Sequence, residues 1–327
     1  MGYGYVPITV TNSESSATST NFQQLVTVDL SYYSSFLNAD LSNTFFSSDT
    51  AGSSVLTSII ESGNSYPFGS VNFWVVLSDG IAANSSTTIY LQIDLSLSSH
   101  INKTTTGLAC NLTSSYGEYD NSSSIFNFYD NFSGTTLDSS NWSSGGTFTV
   151  NNGISLNDGY IYSTATYSSS DDYTLDVFGY NDLTGNQGFG SFVSNSNSFS
   201  GADVQIMAAL GSPNRYTAAS AYVSGYSDNT LTESIPFTTN YIFTLSPAFA
   251  SSGNTWYLTY NQASAGVPSS VGSLTYIGAS GGSSTNAIYI QYIRLRYTPP
   301  NGVMPSISTS NPVNFPYINT STSEDLF

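Results

Sequence analysis

Residues able to do acid–base, nucleophilic or metal chemistry are scarce in this 327-residue chain. It has one histidine, His100, and one cysteine, Cys110. A Ser-His-Asp triad would need His100, and no Gly-x-Ser-x-Gly elbow surrounds any serine. One His and one Cys make too small a ligand set for zinc. No glycine-rich phosphate loop carrying a lysine occurs. The glutamates, Glu14, Glu61, Glu118, Glu233 and Glu324, are scattered. Spacing alone leaves open two carboxylates meeting across a cleft. The densest acidic patch comprises Asp171, Asp172, Asp176 and Asp182. Loop oxygens of this kind suit calcium, but solvated carboxylates are the favoured reading. His100 lies in a polar stretch and reads as exposed; Cys110 reads as a buried thiol. No cofactor is expected.

The second chemical feature is a set of Asn-x-Ser/Thr triplets at Asn84, Asn102, Asn111, Asn121, Asn131, Asn141 and Asn319. A chain this rich in Ser, Thr and Asn makes such triplets by chance, yet five of them recur about every ten residues between Asn102 and Asn141. In a glycosylating export pathway they would carry sugars on exposed loops. Asn84, Asn102 and Asn121, in turn-like polar segments, are the sites expected first.

Charge narrows the partners. Lys103, Arg215, Arg294 and Arg296 are the only basic side chains, and the formal net charge is −17. Nucleic acid is excluded, because almost no cations are available to neutralise phosphates; docking on an anionic membrane is excluded for the same reason. No run of 18 apolar residues spans a bilayer. Charged residues are 8% of the chain, against about 25% in ordinary globular proteins. With so few bases, little positive repulsion builds up when carboxylates are protonated. The fold is therefore expected to survive at about pH 2 to 3, as an exposed protein of an acidic habitat would.

The elements that must carry these residues are strands. Aromatic residues make up 14% of the chain, with 25 Tyr and 19 Phe. They suit pleated, half-buried surfaces, and the abundant Gly, Asn and Ser suit turns. Val6, Ile8 and Val10 alternate over 5–11, and 22–30 resumes a strand. Phe73 to Leu77 is a continuous apolar run, and 87–97 alternates through Ile89, Leu91, Ile93 and Leu95. This β-sandwich ends near Leu97, and the polar stretch 98–124 reads as a linker or interdomain belt. A β-meander follows, with turns at Asn152-Gly153 and Asp158-Gly159. Its later strands fall near 173–179, 188–193, 203–209, 216–223, 240–246, 255–261, 271–278 and 287–298. Trp74 and Trp142 read as core and Trp256 as slightly more open. Pro299-Pro300-Asn301-Gly302 stops the last strand. The domains expected are 1–110, 111–305 and a Ser/Thr/Pro-rich tail, 306–327, either a linker or a strand awaiting a partner. Met1 to Tyr5 enters a strand pattern at once, as in a chain whose presequence has been removed or one that never had a leader.

Several stretches resemble known families. Tyr5-Val6-Pro7-Ile8-Thr9-Val10-Thr11-Asn12, Ser15-Ser16-Ala17-Thr18, Phe22-Gln23-Gln24 and Asp79 to Leu91 resemble a domain of unknown function in archaeal exported proteins. Tyr116 to Asn121 and Arg294 to Pro305 resemble the second domain that accompanies it. Asp130 to Asp138, followed by Trp142, resembles the opening of concanavalin A-like lectin/glucanase jelly rolls. The resemblance implies an all-β chain of two β-sandwich domains, the second a concanavalin A-like jelly roll. It also implies a surface or appendage protein of thermoacidophilic or related archaea, with no known catalytic residues. Laminarinase-type members carry Glu-x-Asp-x-x-Glu on one strand; no such triplet is present here, so a glycoside hydrolase ranks last.

The reading is a non-enzymatic, glycosylated, extracellular protein that self-associates into a filament, pilus or coat. Alternatives are a carbohydrate-binding adhesin and an archaeal-virus surface protein. Both chain ends look free to exchange. Tyr3 to Thr11 begins at the terminus, and Val313, Phe315, Tyr317 and Ile318 could add a strand to a neighbour's sheet.

Overall fold

The computed structural model describes residues 3–168, 170–183, 187–194, 197, 203–209, 216–223, 226–229, 233–234, 241–246, 248–249, 255–258, 275–281 and 286–315. They form two compact units: Met1–Ile125 with Pro299–Phe327, and Phe126–Thr298. Both are built of strands, as the composition requires.

The first unit contains β1 (Tyr3–Asn12), β2 (Phe22–Asp29), β3 (Thr44–Ser47), β4 (Val55–Leu56), β5 (Ser58–Ser62), β6 (Ser70–Leu77), β7 (Ser85–Asp94) and β8 (Thr106–Leu108). β2, β6, β5 and β8 form one sheet; β1, β7, β3 and β4 lie in the other. Alternation does the packing. Every second residue of β1 is buried, so Val6, Ile8 and Val10 face inward. Ile89, Leu91 and Ile93 of β7 share that core, and Val71, Phe73, Val75 and Leu77 of β6 close it from the other sheet. The apolar run in β6 is buried on both faces at Trp74, whose indole N–H donates to Glu61 Oε2 at 2.7 Å.

The second unit runs from β9 (Phe128–Asp130), β10 (Trp142–Val150), β11 (Ile154–Ser163) and β12 (Tyr173–Leu183) to β13 (Gln187–Ser194) and β14 (Asp203–Ala209). It continues through β15 (Tyr216–Val223), β16 (Tyr226–Asn229), β17 (Glu233–Ser234), β18 (Tyr241–Ser246), β19 (Thr255–Leu258), β20 (Tyr276–Gly281) and β21 (Asn286–Tyr297). All thirteen belong to one hydrogen-bonded sheet. Residues from β10, β11, β12, β13, β18, β20 and β21 nevertheless share one core, so the sheet must curl over on itself. β11 pairs with β21 through Ile154–Leu156 and with β20 through Tyr160–Tyr162, which is where the sheet branches.

Three expectations change. The stretch 98–124 is part of the first unit and no linker: β8 pairs in parallel with β5, and Leu108, Ala109 and Cys110 are buried. The boundary falls between Ile125 and Phe126, not at 110. Residues 306–315 are not a separate tail; 316–327, with Tyr317 and Ile318, lie outside the described residues. Ser306–Thr309, here β22, pairs antiparallel with β1, and Pro299 onward belongs to the first unit, not to a second domain reaching 305.

Turn chemistry was half legible. Asn152 and Gly153 do turn the chain, with φ of 51° and 127°. Asp158-Gly159 does not. β11 runs through it, and the left-handed Asp158 and Gly146 mark a bulge where the β10–β11 register slips. The strand expected over 271–278 lies at Tyr276–Gly281, and β3, β4, β5 and β8 had no periodic signal.

Candidate functional site

The feature with most chemical consequence in the first unit is its C-terminal closure. β22 supplies the outer partner of β1, matching Ile8 with Thr309, Thr9 with Ser308, Val10 with Ile307 and Thr11 with Ser306. Past it, Tyr5 and Val313 bond both ways through their backbones, at 3.0 and 2.9 Å. Phe315 then lies over Gly4. A Cβ added there would meet the ring at 2.6 Å, so the absent side chain makes the seat for the aromatic. Tyr33 and Phe36 flank the same ring, with centroids 5.5 and 5.3 Å away. The buried Gln24 amide donates to Pro305 O at 3.0 Å, tethering the segment to the opposite sheet. This is strand addition to an edge, performed within one chain.

In the second unit the acidic patch separates. Asp176 is fully buried and makes no calcium ligand: its Oδ2 accepts from Arg294 Nε and Arg296 Nε, both at 2.9 Å, and its Oδ1 from Thr244 at 2.7 Å. Sheet register explains the meeting. Asp176 lies opposite Arg294 and Thr174 opposite Arg296, so two arginines two positions apart on β21 share a face with the carboxylate. The Arg294 guanidinium also sits over the Phe126 ring, 4.5 Å from its centroid. Burial raises the Asp176 carboxyl, but the two guanidiniums outweigh it and hold it down at about 2. Asp171 accepts from Ser168 N at 2.6 Å in a surface turn, and Asp172 is exposed. Asp182 falls in β12 and its side chain lies outside the described residues. Among the described residues no three His, Cys, Asp or Glu side chains group as for a metal.

Asp130 has the opposite environment. Burial raises its carboxyl, against the Phe132 N–H at 2.7 Å and the Trp142 indole N–H at 2.6 Å. Trp142 is core, as expected; the Trp256 side chain lies outside the described residues.

The sequons separate by exposure. Asn84, left-handed at the tip between β6 and β7, and Asn111 are exposed. Asn102, Asn131 and Asn141 are half-buried. Asn102 Nδ2 already donates to His100 O and Thr105 Oγ1, and Asn141 Nδ2 to Asp138. Asn121 is buried, its Nδ2 donating to Ser58 O at 3.1 Å. A glycan on that nitrogen has no room in the folded chain. Asn319 lies outside the described residues. His100 is not an open surface histidine either: its Nε2 is 3.0 Å from Asp94 Oδ2 and its ring packs on Phe45. Cys110, the one cysteine of the chain, is buried, as expected. No signal in the sequence joined His100 to Asp94 or Asp176 to the two arginines, because each meeting depends on loop path or strand register.

No family model matches the chain. A relative, uncharacterized protein 562 of Sulfolobus islandicus rod-shaped virus 1, is 40% identical over 124 residues, 38% of this chain and 21% of the relative. The chain thus matches about a fifth of that relative's length. Among solved structures, the Emp47p carbohydrate recognition domain is similar at 10% identity, covering 48% of this chain and 88% of that one, with a TM-score of 0.37. Rv0315 of Mycobacterium tuberculosis, described as a pseudo β-1,3-glucanase, is similar at 14% identity, covering 53% and 98%, with a TM-score of 0.37. These likenesses concern the all-β fold alone. No helix among the described residues is long and apolar enough to cross a membrane.

Proposed function

We propose that the chain is a non-enzymatic structural or adhesive protein of an extracellular surface in the archaeal world, a virus particle or the coat or filament of a cell. The observation that carries this reading is the C-terminal closure. β22 and its bridge make few backbone bonds, at an outer edge, through a segment that follows the Pro299-Pro300 stop. A second copy's segment can make the same contacts on β1, and head-to-tail exchange of this kind gives a filament when the rotation does not close. The viral relative supports the setting. The scarcity of charge supports an exposed, acidic one. A lectin-like role for the second unit is the alternative.

The test uses the register itself. Thr9 and Ser308 are Cα partners, and paired residues of an antiparallel ladder lie about 4.5–5.5 Å apart, within disulfide reach. In the double variant Thr9→Cys/Ser308→Cys, oxidised after assembly, exchange gives a ladder of covalent multimers on denaturing gels. A purely intrachain disulfide, in a protein that stays monomeric by light scattering at every concentration, would overturn the reading.

A further inference from the structure

The closing segment meets β1 mainly through groups that every strand possesses. β22 pairs by its backbone, and the Gln24 amide takes the Pro305 carbonyl. Neither 3–12 nor 305–315 holds a charged side chain, so no ion pair between them chooses a partner. Within β22, Ser306, Ser308 and Thr309 are small, polar and exposed, and a strand of that kind specifies its register weakly. Two side chains of the segment, Ile307 and Phe315, pack against the first core. Whatever discrimination the edge has must come from them.

Phe315 fills a gap that β1 leaves. Gly4 is buried and continues the inward series of Val6, Ile8 and Val10, yet it brings no side chain to the core. Its φ lies outside the left-handed region, so the backbone there accepts any residue; the ring is what excludes one. Three carbons of Phe315 stand 2.6, 2.7 and 2.8 Å from the place of a Gly4 Cβ. The ladder does not carry the ring there by itself. Thr309 partners Ile8 and Val313 bridges Tyr5, so the step from 309 to 313 is matched by the shorter step from 8 to 5. That extra residue is a bulge, with Pro312 inside it, and the register of β22 ends at it. The ring is therefore located by its own fit between Gly4, Tyr33 and Phe36.

We propose that the gap at Gly4 is the selecting site of strand exchange. It admits the closing segment of a second copy of this chain, recognised by a benzyl ring eight residues beyond the aliphatic side chain that meets Val10. This rests on the exchange reading above and adds what the exchange recognises: Phe315 is the specificity-determining residue, and the backbone ladder supplies adhesion without choice.

The test mixes two full-length chains with different affinity tags, an acceptor carrying Thr9→Cys and a donor carrying Ser308→Cys, and reads the mixed disulfide on non-reducing gels. The wild-type ring on the donor is expected to give it. A donor that also carries Phe315→Ala must compete with the acceptor's own Phe315, and its yield is expected to fall about thirtyfold. An acceptor that also carries Gly4→Val fills the gap itself and is expected to reverse the order, taking the Phe315→Ala donor better than the Phe315 donor. A cooperative melt shows that each variant folds. The two donors on the Thr9→Cys acceptor decide the matter even where the Gly4→Val chain fails to fold. Equal yields from the two donors would overturn the selection and leave exchange standing. No mixed disulfide from any donor would overturn exchange, and the selection with it.

Discussion

Tyr5 and Val313, at opposite ends of the described chain, hold each other by a reciprocal pair of backbone hydrogen bonds. The first sheet is therefore completed by residues that follow the whole second unit, and neither part of the first unit is complete alone.

Removing the aromatic that locks this closure should loosen the first unit without unfolding the second. Phe315 is half-buried, so Phe315→Ala should cost about 2 kcal/mol, below the 3–5 expected for a fully buried ring. Gly4→Ala should cost about 1–3 kcal/mol by displacing the ring that occupies its Cβ position. Urea unfolding followed at both units reads the loss. Equal destabilisation of the two units would contradict their independence.

The Asp176 centre should be felt as acid is added. Its folded value, about 2, lies below its ordinary 3.8. The ion pairs therefore stabilise fully above the ordinary value and lose their contribution as pH falls from about 4 through about 2. Asp176→Asn leaves two buried guanidiniums without their carboxylate and should cost about 3–5 kcal/mol near neutrality. The gap between wild type and variant should narrow steadily below about pH 4. A gap constant from neutrality to about pH 2 would show that the carboxylate titrates elsewhere.

Asp130 should behave in the opposite sense. Its folded value is raised, so its charged form is penalised at neutral pH and the penalty is relieved as pH falls through the folded value. Asp130→Asn removes the charge but keeps one acceptor oxygen for two N–H donors, Phe132 and Trp142. Neutral-pH stability should therefore fall by no more than about 1–3 kcal/mol, the cost of one lost buried hydrogen bond, and the second unit should lose a stabilising inflection on acidification. Denaturation curves across that range decide it; a larger loss at neutral pH would mean the carboxylate charge itself holds the indole.

Glycan occupancy should follow exposure and free amide nitrogens. Asn84 and Asn111 should be modified in native material and Asn121 should not, because its Nδ2 is enclosed against Ser58. Glycopeptide mass spectrometry checks each site. A glycan on Asn121 would require the 106–121 segment to open around it.

Strand alternation needs no partner to be read, which is why β1, β6, β7 and most second-unit strands were legible as residues alone. Val6, Ile8 and Val10 announce their inward face wherever the sheet lies. Short pieces such as β3 and β8 are too brief to show a period, and their burial comes from neighbours. Asp158-Gly159 carries turn residues, but the pairing of β10 with β11 absorbs them as a bulge.

Composition and alternation by themselves determined that this chain is all-β, built as two units and poor in charge. Those properties depend on residue type and near neighbours along the chain. Only the tertiary structure decided that 306–315 completes the first sheet, that Asp176 serves two arginines and not a cation, that Asn121 is enclosed, and that Phe315 fills the place of a Gly4 side chain. Each of these joins residues whose approach is set by strand register or loop path. Their energies arise from distances between side chains that no local pattern records.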